Sequence, residues 1–294
     1  MRILILGGDG MLGHQLLRHL EPRHEVKVTL RRPLAAYREH GLFSPANSLA
    51  GVDARDWPAV AAALEAASPQ AVVNCIGIVK QREEAKSPIP AIEINSLFPH
   101  RLLEACRAAG SRLVHLSTDC VFSGHAGGYS EDDLPDPVDL YGRSKLLGEP
   151  AAPALTLRTS IIGLELARKT GLVEWFLAER GTVRGFRRAL FSGVTTREMA
   201  RVIERLLTDH PKLAGVWHLA SRPISKYDLL VFLARSLDRR DVEVLPDDGF
   251  TCDRSLDGSR LAAATGYRPP SWEVMLDELA AEIRLRQRGF DGAP

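Results

Sequence analysis

Cysteine is scarce and unpatterned. Cys75, Cys106, Cys120 and Cys252 lie far apart, with no C-x-x-C spacing to build a disulfide framework or a zinc site. The chain also passes from Met1 straight into strand-like residues, without the charged-then-apolar pattern of a secretion signal, so a reducing, cytoplasmic protein is expected. No apolar run approaches the ~18 residues of a membrane span, which argues against a membrane role. Nor does one charge dominate: 38 Lys+Arg stand against 37 Asp+Glu, a net +1. Such a balance is not a surface for nucleic acid, although a small anionic ligand is compatible with it. The histidines, His115 and His218 among them, show no ligand spacing, and no catalytic metal is expected. What remains is ordinary globular composition, 294 residues with 45% hydrophobic, enough for one large core or two modest ones.

Hydrophobic periodicity supplies the architecture. "MRILILGG" is a short apolar run closed by glycines, and "GHQLLRHLEPRH" follows with leucines at helical spacing. The alternation continues through "HEVKVTLRR" (strand), "WPAVAAALEAA" (helix), "QAVVNCIG" (strand), "AIEINSLFPHRLLEACRAAG" (helix) and "SRLVHLSTD" (strand). Strands alternating with helices pair in parallel through right-handed crossovers, so an α/β, doubly wound parallel sheet is expected. After "TLRTSIIG" the alternation loosens. "LVEWFLAE", "TREMARVIERLLTDH", "SKYDLLVFLARSL" and "SWEVMLDELAAEIRLRQR" read as helices of a smaller, mostly helical lobe, with "GVWHLAS" a strand returning to the main sheet. The division is expected near residue 160, giving a nucleotide-binding domain over 1–160 and a substrate lobe over 161–294, partly interleaved. The closing "GFDGAP" reads as a frayed end.

The first chemical signal is "GGDGMLG", which sets Gly7, Gly10 and Gly13 at G-x-x-G-x-x-G spacing between the first strand and first helix, with Met11 and Leu12 inside the turn. Glycine permits a sharp turn and close approach to a pyrophosphate, whose charge the free helix amides and helix dipole stabilise. The bland alternative is a turn with a close strand–helix contact. The second strand ends in Arg31 and Arg32 where an NAD site usually has an acid, so NADPH is expected over NADH. The competing reading of this pair is a solvated basic edge. Asp53 and Ala54, after the third strand, could meet the adenine, or form an ordinary polar loop. Cys75, Ile76 and Gly77 end the fourth strand at the carboxyl edge, where open sheets hold their ligands.

The second signal is "VDLYGRSKLLGE", with Tyr141 and Lys145 four residues apart on one helical face. Reducing a ketone beside a nicotinamide needs a positioned proton donor, and tyrosine can serve. A neighbouring ammonium is expected to lower the phenol pKa from its usual ~10. "HLSTDCVFSG" brings Ser117 and Thr118 to the same edge, where a hydroxyl could bind the developing oxyanion, and Thr118 is favoured. Taken singly, each residue could be a turn cap, a packed ring or a solvated charge. Their order along the chain is the order that one active site requires.

Together "GGDGMLG", "LSTDCVFSG" and "YGRSKLLGE" resemble an extended short-chain dehydrogenase/reductase and, within it, the dTDP-4-dehydrorhamnose reductase family of nucleotide-sugar reductases. The resemblance covers most of the chain and is strongest from Met1 to Thr159. It implies a Rossmann domain, a small substrate lobe, NAD(P)H, and reduction of a 4-keto-6-deoxy sugar on a nucleoside diphosphate. It also implies Thr118, Tyr141 and Lys145 as catalytic residues, Asn95 in "IEINSLF" among the site residues near the cofactor, and Asp119 and Cys120 beside the substrate. The chain departs from the family at Cys120, Ile161 and Ile162, where aromatic residues are common, and this leaves the sugar's identity open. From the lobe, Trp175 in "LVEWFLAE" and Arg187 in "RGFRRALFSGVTT" are the candidate nucleotide contacts, against the ordinary roles of core ring and solvated charge. The same triad serves epimerases and dehydratases, and some relatives of this family act as regulatory subunits without turnover. A monomer or a homodimer is compatible with the pattern.

Overall fold

The computed structural model describes residues 1–80, 86–167 and 169–289, so the end of "GFDGAP" from residue 290 lies outside the described residues. Strands β1 (Arg2–Leu6), β2 (Glu25–Leu30), β3 (Ser48–Ala50), β4 (Ala71–Asn74), β5 (Arg112–Leu116) and β6 (Leu155–Arg158) alternate with helices α1 (Gly13–Leu20), α2 (Trp57–Ala67), α3 (Pro88–Ala91), α4 (Phe98–Ala108) and α5 (Leu140–Leu147). These six strands and a later one, β10 (Gly215–His218), form a single parallel sheet in the order β10-β6-β5-β4-β1-β2-β3. The order reverses between β1 and β4, so a crevice opens above Leu6 and Asn74, the place where such sheets bind ligands. This is a Rossmann-type fold.

Alternate residues of β1 feed two cores, one on each face of the sheet. Ile3 and Ile5 pack with Leu16 and Leu17 of α1, while Leu4 and Leu6 pack with Val60 and Leu64 of α2 and Phe98 and Leu102 of α4. Leu4, Ile5 and Leu6 are fully buried. Each such side chain contributes about 1.5–3 kcal/mol, which is why "ILIL" carries no polar residue.

The remainder of the chain contains β7 (Ile161–Ile162), α6 (Leu172–Ala178), β8 (Gly181–Phe191), β9 (Val194–Thr195) and α7 (Thr196–Thr208), then β11 (Ile224–Ser225), α8 (Lys226–Ser236), β12 (Val242–Asp253), α9 (Ser259–Thr265) and α10 (Trp272–Gln287). Alongside the helices stands a three-stranded sheet, β11-β8-β12, which the sequence pattern did not signal. β8 and β12 run parallel, with a register shift between Asp247 and Thr251. That irregularity absorbs the turn-like "DDG" inside β12. Ser225 caps α8 by accepting from the Asp228 amide, and so fixes Lys226 as the first helical residue. No helix among the described residues is long and apolar enough to cross a membrane.

Candidate active site

The glycine turn is built by steric necessity. Gly7 has φ +84°, a conformation that side chains rarely tolerate. A Cβ on Gly13 would fall 2.1 Å from the Gly7 carbonyl oxygen, so only glycine lets α1 close on the strand end. Gly10 is the least constrained of the three, its added Cβ meeting Gly7 O at 3.2 Å. α1 has no side-chain cap, which leaves its first amides, beside Met11 and Leu12, to other acceptors. His14 lies beneath the turn with Nδ1 2.8 Å from Gly10 O. Burial lowers its pKa to about 4, so the ring is neutral and Nδ1–H is the donor.

At the end of β2, Arg31 and Arg32 are both exposed. The Arg32 guanidinium lies over the Tyr37 ring at 5.0 Å, and its amide donates to the Tyr37 hydroxyl, which donates to Asp9 Oδ2 at 2.9 Å. One tyrosine therefore ties the glycine turn to the arginine pair. Asp53 accepts from the Arg55 backbone and guanidinium, which hold its carboxyl below the usual range, and Ala54 follows it. At the end of β4, a Cβ on Gly7 would touch the Ile76 side chain at 3.0 Å, and one on Gly77 would lie 3.5 Å from Asn95 Oδ1. Burial pushes the Cys75 thiol far up, so it is inert.

Across the crevice, β5 runs into a 3-10 turn, Asp119–Val121, capped by Thr118, whose hydroxyl accepts from the Cys120 amide at 3.1 Å. The same hydroxyl donates to Asp119 Oδ1 at 3.1 Å, and it opposes the rise of the neighbouring Tyr141 phenol. Tyr141 and Lys145 lie on α5, whose Asp139 cap accepts from the Gly142 amide at 2.8 Å and pairs with Lys80 at 2.7 Å. The helix is seated through glycine at both ends: a Cβ on Gly142 would fall 2.2 Å from the Cys120 carbonyl oxygen, and one on Gly148 would fall 1.7 Å from the Asn95 carbonyl oxygen. Lys145 is buried, and its Nζ donates to Leu116 O at 2.6 Å.

The electrostatics differ from the expected pairing. Burial pushes the Tyr141 phenol above its ordinary value, with the neighbouring Cys120 thiol, Asp119 and Asp139 adding to it and the Thr118 hydroxyl opposing. The phenol is therefore raised and not depressed, because in this buried setting desolvation dominates. Burial also lowers Lys145, to about 8, against the pull of Glu149. Asn95 lies in a π-helical turn, Ile92–Leu97. Its side chain is engaged within the protein: Oδ1 accepts from the Ile78 amide, and Nδ2 donates to Ile78 O and Ser144 Oγ, clamping the loop after β4 to α5.

The lobe supplies different residues from those singled out by sequence. Trp175 on α6 is exposed beside Phe176, and Arg187 on β8 pairs with Asp248 of β12. Among the described residues, no hydrogen bond, ion pair or ring contact joins either to Thr118, Tyr141 or Lys145. The cations that bear on Asp119, just after β5, are Lys226 and Arg254. Burial raises the Asp119 carboxyl, and Lys226 and Arg254 oppose that rise. Lys226 Nζ sits 3.6 Å over the Phe191 ring, and Arg254 Nε donates to Phe122 O at 2.9 Å. Neither has a sequence signature, since one follows a helix cap and the other a strand end.

Among curated proteins, the chain is 34% identical to a dTDP-4-dehydrorhamnose reductase of Streptomyces griseus over 151 residues, 51% of this chain and 44% of that one. The chain thus spans under half the length of that relative. It is 30% identical, over 98% of its own length and 99% of the relative's, to a probable dTDP-4,6-dihydroxy-2-methyloxan-3-one 4-ketoreductase of Streptomyces antibioticus. Among solved structures, a dTDP-4-dehydrorhamnose reductase from Bacillus anthracis in complex with NADP superposes with a TM-score of 0.78 at 22% identity, covering 96% of this chain and 99% of that one. That likeness bears on the fold. The family model described as the RmlD substrate binding domain matches residues 1–285, and the chain belongs to that family.

Proposed function

We propose that this chain is an NAD(P)H-dependent reductase of a 4-keto-6-deoxy sugar carried on a nucleoside diphosphate, with Tyr141 as the proton donor. The observation that carries the reading is the seating of the helix that bears Tyr141 and Lys145 against the strand end that bears Thr118: the Lys145 amine donates to Leu116 O, and Gly142 abuts the Cys120 carbonyl at the carboxyl edge of the sheet. The reductase and ketoreductase names of its relatives agree with it.

The residues present fit a dinucleotide. Gly7, Gly10 and Gly13 clear backbone at the turn, the uncapped amides of α1 suit a pyrophosphate, and Arg31 and Arg32 suit a 2′-phosphate. NADPH, when bound, supplies the hydride. Every other requirement falls to side chains. A phenol raised by burial is protonated at neutral pH, so Tyr141 is a stocked acid for the carbonyl oxygen. To stabilise negative charge on the phenolic oxygen once its proton has left, the Thr118 hydroxyl turns its own proton from Asp119 Oδ1 to that oxygen. Lys145, with a pKa of about 8, remains mostly an ammonium at pH 7 and supplies positive charge behind both. Lys226 and Arg254 face Asp119 from the lobe, where cations suit the diphosphate of the substrate. In this reading residues 1–160 carry the cofactor and residues 161–294 recognise the substrate.

The experiment is NADPH consumption with a panel of 4-keto-6-deoxy sugars linked to dTDP, UDP and GDP. Turnover with at least one member is expected. Tight NADPH binding without consumption of any panel member would refute the reductase and favour a binding role.

A further inference from the structure

Directly beyond the catalytic helix lies a buried ion pair that the chemistry above does not use. Glu149 follows α5, four residues after Lys145. Arg158 ends β6. Their side chains are 6% and 7% exposed. Glu149 Oε1 accepts from Arg158 Nε at 2.9 Å and from Ser117 Oγ at 2.5 Å, while Oε2 accepts from Arg158 Nη2 at 2.8 Å. One carboxylate thus joins the end of β5, the turn after α5 and the end of β6. Ser117 stands between Leu116, whose carbonyl holds the Lys145 amine, and Thr118, whose hydroxyl caps the turn that carries Asp119 and Cys120.

Behind the pair, the Arg158 guanidinium lies over the Phe122 ring at 5.3 Å and approaches His218 Nε2 at 3.4 Å. His218 Nδ1 is 3.0 Å from Tyr129 O, and burial lowers its pKa to about 4, so it is neutral, with Nδ1–H the donor. The Lys145 charge in turn bears on His115, on β5. Burial holds it well below its ordinary value, and its Nδ1 faces Asn74 Nδ2 at 3.1 Å. The formal charges around the amine are therefore Glu149 and, through it, Arg158. Tyr141, on the same helix, is protonated.

A buried ion pair is weak evidence for stability, because apolar replacements of similar volume are often neutral or better. Its position accounts for it more directly. Burial alone drives Lys145 towards the free amine, and Glu149 is the charge that opposes this. We propose that Glu149, pinned by Ser117 and Arg158, is a positioning residue that keeps the Lys145 amine charged and the strand end bearing Thr118 fixed against the catalytic helix. The proposal rests on the reading that Tyr141, Lys145 and Thr118 form one site.

The test is to follow the Lys145 Cε resonance by NMR in full-length protein labelled with [ε-13C]lysine, assigned with Lys145→Met. The wild-type amine is expected to titrate near 8. In Glu149→Gln the midpoint falls by about one pH unit or more, the scale of a neighbouring opposite charge, and Glu149→Asp restores part of it. Glu149→Gln leaves Arg158 buried and unpaired, so Glu149→Gln/Arg158→Met is the second variant. Its midpoint falls too, because Glu149 is the charge that bears on Lys145. A midpoint unmoved in either folded variant overturns the proposal, as does a Glu149→Asp midpoint no higher than that of Glu149→Gln. The readout needs no substrate, so it stands or falls separately from NADPH consumption.

Discussion

The two walls of the crevice are built differently. On the sheet side nearly every polar group is engaged: Thr118 with Cys120 and Asp119, Lys145 with Leu116, Ser117 with Glu149, and Asn95 with Ile78 and Ser144. On the lobe side, Lys226 has no hydrogen-bond partner among the described residues and rests on the Phe191 ring, and Arg254 uses its Nε alone. A cross-linked wall holds reacting atoms to a fixed geometry, which is what proton transfer demands. A wall of cations with donors to spare suits an oxygen-rich ligand. In the proposed reading, chemistry belongs to the first wall and recognition to the second.

Substitutions on the two walls should therefore fail in different kinetic parameters. The largest effect is expected from Tyr141→Phe, which removes the acid: kcat falls by about 10²–10⁴-fold in NADPH-consumption assays, while NADPH affinity by fluorescence titration changes little. Equal losses in both would blur the distinction between the walls. Next, Lys226→Met and Arg254→Met each raise KM for the nucleotide sugar by about 10-fold or more with kcat largely kept, the mark of uniform binding. A kcat loss as deep as that of Tyr141→Phe would move the lobe into the chemistry. Arg31→Ala/Arg32→Ala tests the cofactor end, with KM for NADPH rising by about 10-fold and that for NADH nearly constant. An equal change for both coenzymes would return these arginines to solvent.

The smallest effect is a pH dependence of stability. Lys145 titrates at about 8 in the fold against 10.5 ordinarily, so between these values the unfolded chain binds the extra proton. This group then adds stability as pH rises from about 8 to 10.5, and that gain is lost as pH falls back through 8. Lys145→Met should lack the trend, as read from denaturant midpoints across that range.

The walls also differ in how far sequence reveals them. β1 and β4 read as strands because both faces are covered and "ILIL" and "AVVN" are almost unbroken apolar runs. Gly7 and Gly13 were legible because steric demand leaves no other residue. The β8–β12 sheet was not legible. β8 mixes Arg184, Arg187 and Arg188 with buried Val183 and Ala189, and β12 contains Pro246 and "DDG", which read as a turn. Lys226 and Arg254 come together only through that tertiary arrangement. The direction of the Tyr141 shift was missed for a related reason, since spacing reports neighbours along a helix and says nothing of the water excluded around them.

Gly142 and Gly148 bear on how this site could diversify. Because main chain abuts main chain at both ends of α5, the bearing of Tyr141 is set by backbone contact as well as by the Asp139 cap and the Asn95–Ser144 bond. In the proposed reading, exchanges at Cys120, whose carbonyl seats Gly142, can therefore change what the site admits while the phenol keeps its aim, so a new substrate becomes reachable without rebuilding the scaffold.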